Sequence, residues 1–190
     1  MGHREDLLEG AVRCLYEKGY ARTTARDVVE ASGTNLGSIG YHYGGMANLL
    51  NAALERALED WGLSLAEALM STETEGLTGQ ARFEAYWQHV LDTVAAHRPV
   101  LMATFDAFVQ MEHSPDVRKM LVNGMRDARK LWAEMLHGID PEAEPTRADQ
   151  IGSFYQALLS GVLAQVLIDP DDAPTAEDLS AALSAIAATF

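Results

Sequence analysis

Glu134 and His137 stand three residues apart in a stretch of helical periodicity, so a carboxylate and an imidazole share one face, the pairing that di-iron bundles use. Such a centre needs a second E-x-x-H and two further inward carboxylates, and the sequence holds one E-x-x-H. Glu84 and His89 are five apart, about 140° round a helix, and do not share a face. The chain has no H-E-x-x-H, no G-x-S-x-G and no Gly-rich phosphate loop. Glu134 and His137 therefore read as a surface pair near a helix end. No metal, cofactor or catalytic residue is expected, and the chain is not expected to be an enzyme. Cys14, the single cysteine, cannot form an intramolecular disulfide, and among Ala11, Val12 and Leu15 it reads as a small core thiol.

Between Thr23 and Leu50 the side chains suit recognition rather than turnover. Asn35, Ser38, Tyr41, His42 and Tyr43 offer neutral hydrogen-bonding groups for phosphates and base edges, and Leu36 can meet a thymine methyl. Arg22 and Arg26 lie near a helix start, either on phosphates or as solvated charges. Short helices must position these groups. Thr24 and Asp27 have the spacing of a capping box, which opens a helix with Val28, Val29 and Ala31 on its apolar side. Gly33 can end it in a left-handed conformation, and Asn35 can cap a second short helix through Tyr43. Two short helices about a glycine turn fit a helix-turn-helix, whose second helix enters the major groove.

From Gly10 to Leu50, in T-T-A-R-D-V, A-S-G-T, L-G-S-I and Y-H-Y-G, the chain resembles the amino-terminal DNA-binding domain of the TetR family of transcriptional regulators. The resemblance places the family's cap on Thr24, its turn glycine on Gly33 and its recognition helix on Asn35 to Tyr43. Tyr41 and His42 match positions that commonly contact backbone or base edges. The expected DNA-contacting set is Thr24, Arg26, Asn35, Leu36, Gly37, Ser38, Tyr41, His42 and Tyr43. Leu36 stands where the family often has a polar or basic residue, Gly40 where an aromatic is frequent, and Met46 where a phosphate-binding Lys is usual.

The chain has 190 residues, 48% of them hydrophobic, enough to bury a core in one or two domains. Its net charge of -14 looks wrong for a nucleic-acid binder, but five cations and six anions in residues 1 to 50 leave -13 on the remainder. The acid lies outside the DNA-facing stretch and disfavours loose, non-specific binding. The start is charged and lacks a signal-peptide run, and the apolar stretch Leu158 to Ile168 is interrupted by Ser160, Gly161 and Gln165. No membrane span is expected, and the cytoplasm is the expected compartment.

The periodicity predicts an all-α chain of about nine helices. The first covers residues 4 to 18, and a long helix runs from Met46 to about Met70 as a lever between the two parts of the chain. Further helices run from about Arg82 to His97, from Pro99 to about Glu112, and from a Ser114 cap with Pro115 to about His137. Thr146 with Asp149, and Thr175 with Asp178, repeat the capping spacing and open the last two. Residues 1–46 are expected to form the helix-turn-helix domain and 47–190 a ligand-binding and dimerisation domain. Ala157, Gly161 and Ala164 make a small-residue stripe on a helix apolar on most sides, and Leu179, Leu183, Ile186 and Phe190 a second stripe. These predict a homodimer interface, which the resemblance also implies. The resemblance further implies an apolar cavity whose ligand alters the spacing of the DNA-binding domains. Trp61, Tyr86, Phe105, Phe108, Met111, Trp132, Phe154 and Tyr155 are its candidate lining, since aromatics and Met suit adaptable pockets. The expected function is a sequence-specific DNA-binding regulator, a repressor released from an inverted-repeat double-stranded operator by a small apolar ligand. The alternatives are a helical interaction or small-molecule-binding protein that has lost DNA binding, and a helical-bundle metalloenzyme.

Overall fold

A computed structural model of the chain describes residues 3–112 and 114–189. Among them are nine α-helices and no strand: α1 His3–Lys18, α2 Ala25–Ser32, α3 Leu36–Tyr43, α4 Met46–Met70, α5 Gly79–Ala96, α6 Arg98–Gln110, α7 Pro115–His137, α8 Pro145–Ile168 and α9 Ala176–Ala187. A 3-10 turn, Tyr20–Arg22, links α1 to α2. Phe190, expected on the last apolar stripe, lies outside the described residues.

Local chemistry sets most helix starts. Thr24 and Asp27 form a reciprocal capping box at α2, and Thr175 and Asp178 form another at α9. The Ser114 hydroxyl accepts the Val117 N–H at 3.4 Å and starts α7. The expected box of Thr146 and Asp149 does not form. α8 begins at Pro145, two residues before the start that a Thr146 cap would set, because proline's fixed φ and missing N–H suit a first turn. Asp149 instead accepts from Arg129 at 3.2 Å.

The chain divides into two compact units, Met1–Trp61 with His97–Leu121, and Gly62–Ala96 with Val122–Phe190. The first is larger than the segment 1–46 expected from sequence. Leu49, Ala53, Leu54 and Ala57 on α4 are fully buried in its core with Leu7, Ala11 and Leu15 of α1, Val28 of α2, and Val100 of α6. On α1 these side chains recur at helical spacing and give one buried stripe. Gly10 allows α1 and α2 to cross closely, since a Cβ there would lie 2.8 Å from that of Ser32. Ala31, expected on the apolar side of α2, is exposed, and Val28 carries the burial. Cys14 is a buried thiol whose pKa burial pushes up.

In the second unit α5 packs on α9, and Ser180 donates to the Gln80 carbonyl at 3.5 Å. Trp87 and Trp132 lie parallel, their centroids 6.5 Å apart, and Trp132 in turn stacks on Tyr155 at 6.0 Å. α7 and α8 approach closely at Gly152 of α8, where a Cβ would fall 2.1 Å from the Arg129 carbonyl oxygen of α7. A backbone atom cannot rotate away as a side-chain end does. Gly152→Ala is therefore expected to lower stability by about 1–3 kcal/mol through overpacking. Gly124→Ala, at a helical site with nothing within 4 Å of the new methyl, should hold or raise it. Urea unfolding of both variants checks this contrast.

Candidate nucleic-acid interface

α3 has eight residues, L-G-S-I-G-Y-H-Y, and is held at both ends. Asn35 Oδ1 accepts the Ser38 N–H at 3.1 Å, and Gly44 closes the helix at φ 73°, in the left-handed region. A good N-cap contributes about 1 kcal/mol, a large share for two turns of helix. Ile39 is the buried residue of α3 and pins it to the first unit's core. Gly33 closes α2 in the same left-handed way, at φ 67°.

Burial sorts the expected contact set. Leu36, Gly37 and Tyr41 are exposed, together with Gly40, while Ser38 and His42 are half-buried. These positions follow i, i+1, i+4 and i+5, so one face of α3 points to solvent. Tyr41 is 85% exposed, and its ring meets His42 edge-on at 4.8 Å. Two glycines inside so short a helix weaken it by about 1 kcal/mol each relative to Ala. Asn35 and Thr24 are exposed but also serve as caps, and Arg26 is exposed at the start of α2. Tyr43 is turned inward. Its hydroxyl donates to the Arg4 carbonyl at 2.8 Å, its ring packs on the core, and the Arg4 guanidinium lies over it at 5.3 Å. Burial pushes the phenol's pKa up and keeps the donating proton in place. Its structural duty is to tie α3 to the start of α1.

The nearby charges are largely engaged. Lys18 pairs with Asp27, and that contact with the two hydrogen bonds from Thr24 holds the Asp27 carboxyl well below the usual carboxylate range. Arg22 Nε donates to the Lys18 carbonyl, Arg13 to that of Ala31, and Arg56 pairs with Asp60 at 3.2 Å. What faces outward is a nearly neutral helix beside Arg26.

The chain matches known families along most of its length. Residues 7–53 match the pattern of the bacterial regulatory proteins of the tetR family, and residues 78–189 that of the tetracyclin repressor-like C-terminal domain. The chain belongs to the TetR family. It is a DNA-binding transcriptional regulator. It is 24% identical over 161 residues to the transcriptional regulator BetI of Burkholderia thailandensis, covering 84% of this chain and 78% of that one. It is also 45% identical over 49 residues to the transcriptional repressor AcnR of Corynebacterium glutamicum, 26% of each chain. Among solved structures, SCO7518 of Streptomyces coelicolor A3(2) has the same fold, with TM-score 0.69 and 24% identity over 97% of this chain and 96% of that one. The multidrug binding protein EbrR, solved with imidazole, gives TM-score 0.69 at 20% identity over 96% and 95%.

In this TetR-family regulator the eight expected ligand contacts fall in two units. Trp61, Phe105, Phe108 and Met111 belong to the first, where Phe105 meets Phe108 edge-on and Phe108 and Met111 pack on the core. Tyr86, Trp132, Phe154 and Tyr155 belong to the second. There Trp132 and Tyr155 are buried, whereas Tyr86 is half-buried and Phe154 is 48% exposed. Glu134 and His137, read from sequence as a surface pair, are both exposed, but the partner of His137 was missed: its Nε2 lies 2.9 Å from the Tyr155 hydroxyl. Desolvation, with Arg82 and Arg147 nearby, pushes its pKa down, so the neutral imidazole is favoured as the phenol's partner. The signal was a His in the last turn of a helix, but only the fold brings Tyr155 to it. Of the expected interface, Ala157, Gly161 and Ile186 are exposed, and Ala164, Leu179 and Leu183 are half-buried.

Met46 is half-buried and packs on the first unit's core. It anchors the start of α4 rather than reaching outward. Met46→Lys should therefore lower the melting temperature and leave the slope of log K against log salt unchanged. A slope steeper by about 1.8, two phosphate contacts per dimer at about 0.9 each, would place the new ammonium on DNA instead.

Proposed function

We propose that the protein is a homodimeric repressor, held by two α3 helices on an inverted-repeat operator and released by a small apolar ligand bound in the second unit. The observation that carries the dimer is the outward side of α8 and α9. α8 is long and apolar enough to cross a membrane by length and composition, with only 28% of its most apolar window buried. Ile168 and Ile186 are exposed. Its outward small residues, Ala157 and Gly161, suit the close approach of another helix. The occupant we assign is the same pair of helices in a second copy, which makes the surface self-complementary.

DNA contact is assigned to Leu36, Gly37, Ser38, Tyr41 and His42 on α3, with Thr24, Arg26 and Asn35 at the helix starts. Ligand contact is assigned to Tyr86, Trp132, Phe154 and Tyr155, where aromatic surface gathers in the second unit. EbrR's structures with imidazole and with proflavin support a small-molecule role for a chain of this fold. No bond-making chemistry is assigned, so the protein is read as a regulator and not an enzyme. It works beside the genome, in the cytoplasm.

Selection of bound duplex from a random pool, followed by footprinting, tests the reading. The expected site is an inverted repeat whose half-sites are separated by whole helical turns, covered by two protomers. An asymmetric site bound by one protomer contradicts it. A ligand that weakens operator binding must itself be weakened by operator to the same factor.

A further inference from the structure

The outward face of α3 has an unusual chemistry for a reader of DNA. Its four exposed residues are Leu36, Gly37, Gly40 and Tyr41. Nothing on α3 carries a guanidinium, an ammonium, a carboxylate or a side-chain amide. The bidentate pairings that read guanine through Arg or Lys, and adenine through Asn or Gln, are absent from this helix. Asn35, just before it, uses its Oδ1 as the N-cap.

Leu36 is the first residue of α3 and is 55% exposed. In a helix-turn-helix the amino-terminal residues of the second helix are those that meet base edges. An exposed Leu on an ordinary surface needs no explanation. Here it occupies the reading position, flanked on the same face by Gly37 and Gly40. A Cβ at Gly40 would meet nothing within 4 Å, so no packing inside the protein demands a glycine there. Two bare positions beside a branched apolar side chain leave Leu36 projecting and let the helix backbone come close to what it docks on. The apolar feature of the major groove is the 5-methyl group of thymine.

We propose that α3 reads its operator through thymine 5-methyl groups, with Leu36 as the specificity-determining side chain and Gly37 and Gly40 letting the helix lie close to the groove floor. This rests on the operator-binding reading above. Cytosine presents an amino donor and no methyl at that edge, and Leu36 has nothing to accept it, so the contact discriminates thymine from cytosine.

The test uses the full-length protein and the duplex it selects from a random pool, remade with deoxyuridine at every thymine. That change removes the methyls and keeps base pairing. The wild type is expected to bind the uracil duplex about 4-fold more weakly for each methyl contacted, and about 16-fold when both half-sites lose one. Leu36→Ala, at an exposed site, should bind thymine and uracil duplexes alike, which separates a lost contact from altered DNA shape. Gly40→Ala should melt at a higher temperature yet bind the thymine duplex more weakly. Equal wild-type affinity for both duplexes overturns the proposal, and so does a full uracil penalty that survives in Leu36→Ala. If no duplex is enriched from the pool, the operator reading fails and this proposal falls with it.

Discussion

A helix of eight residues does not hold itself in water, because nucleating the first turn fixes several dihedrals for a single hydrogen bond. The reading helix of this protein is of that length, so its position must be imposed from outside. The imposition is local at both ends and tertiary in the middle. Asn35 fixes the entry, the left-handed Gly44 fixes the exit, and Ile39 sets the rotation about the axis. Tyr43 adds a tether to the backbone of α1. With the inward side so occupied, Leu36, Gly37, Gly40 and Tyr41 are relieved of structural duty. α2 is held similarly by its capping box and by the Gly10 crossing. A change at any of these holding points should move the whole reading face rather than one contact.

Electrostatics point the same way. The first unit holds nine of the chain's 14 Lys and Arg, but Lys18, Arg13, Arg22 and Arg56 each spend a donor on a neighbour within that unit. The surplus acid of the chain lies beyond residue 50 and repels a polyanion. Such a protein gains little from random DNA. The proposal that its discrimination comes from shape and apolar fit rests on the exposed, uncharged surface of α3.

The helix-turn-helix was legible in the sequence because short-range chemistry writes it: Thr24 with Asp27, Gly33 and Asn35 act over three or four residues. The same spacing misled at Thr146 and Asp149, where Pro145 suited the first turn and Arg129, 20 residues away, claimed the carboxylate. Gly152 went unremarked beside the stripe at Ala157, Gly161 and Ala164, since only the α7 backbone lying against it reveals its need to be small. Tyr43 and His42 look equivalent as neighbours on a helix, yet Tyr43 turns inward to Arg4, 39 residues away. Of the aromatics, periodicity says they are buried on helices but not which meet. The Trp87, Trp132 and Tyr155 stack joins three helices and could be read only from the fold. Met46 was marked by its departure from the family, and its inward packing gives that departure a structural sense.

On the reading proposed here, this regulator selects its operator by the fit of a nearly neutral helix and not by charge. The slope of log K against log salt, measured on the selected duplex and on a random one, tests it most directly. With Arg26 of two protomers as the available phosphate contact, selection by fit predicts a slope no steeper than about -1.8 on the selected duplex. It also predicts that preference for that duplex persists as salt rises. A slope of about -7 or steeper, with the two duplexes bound nearly alike at low salt, would show instead that phosphate attraction dominates.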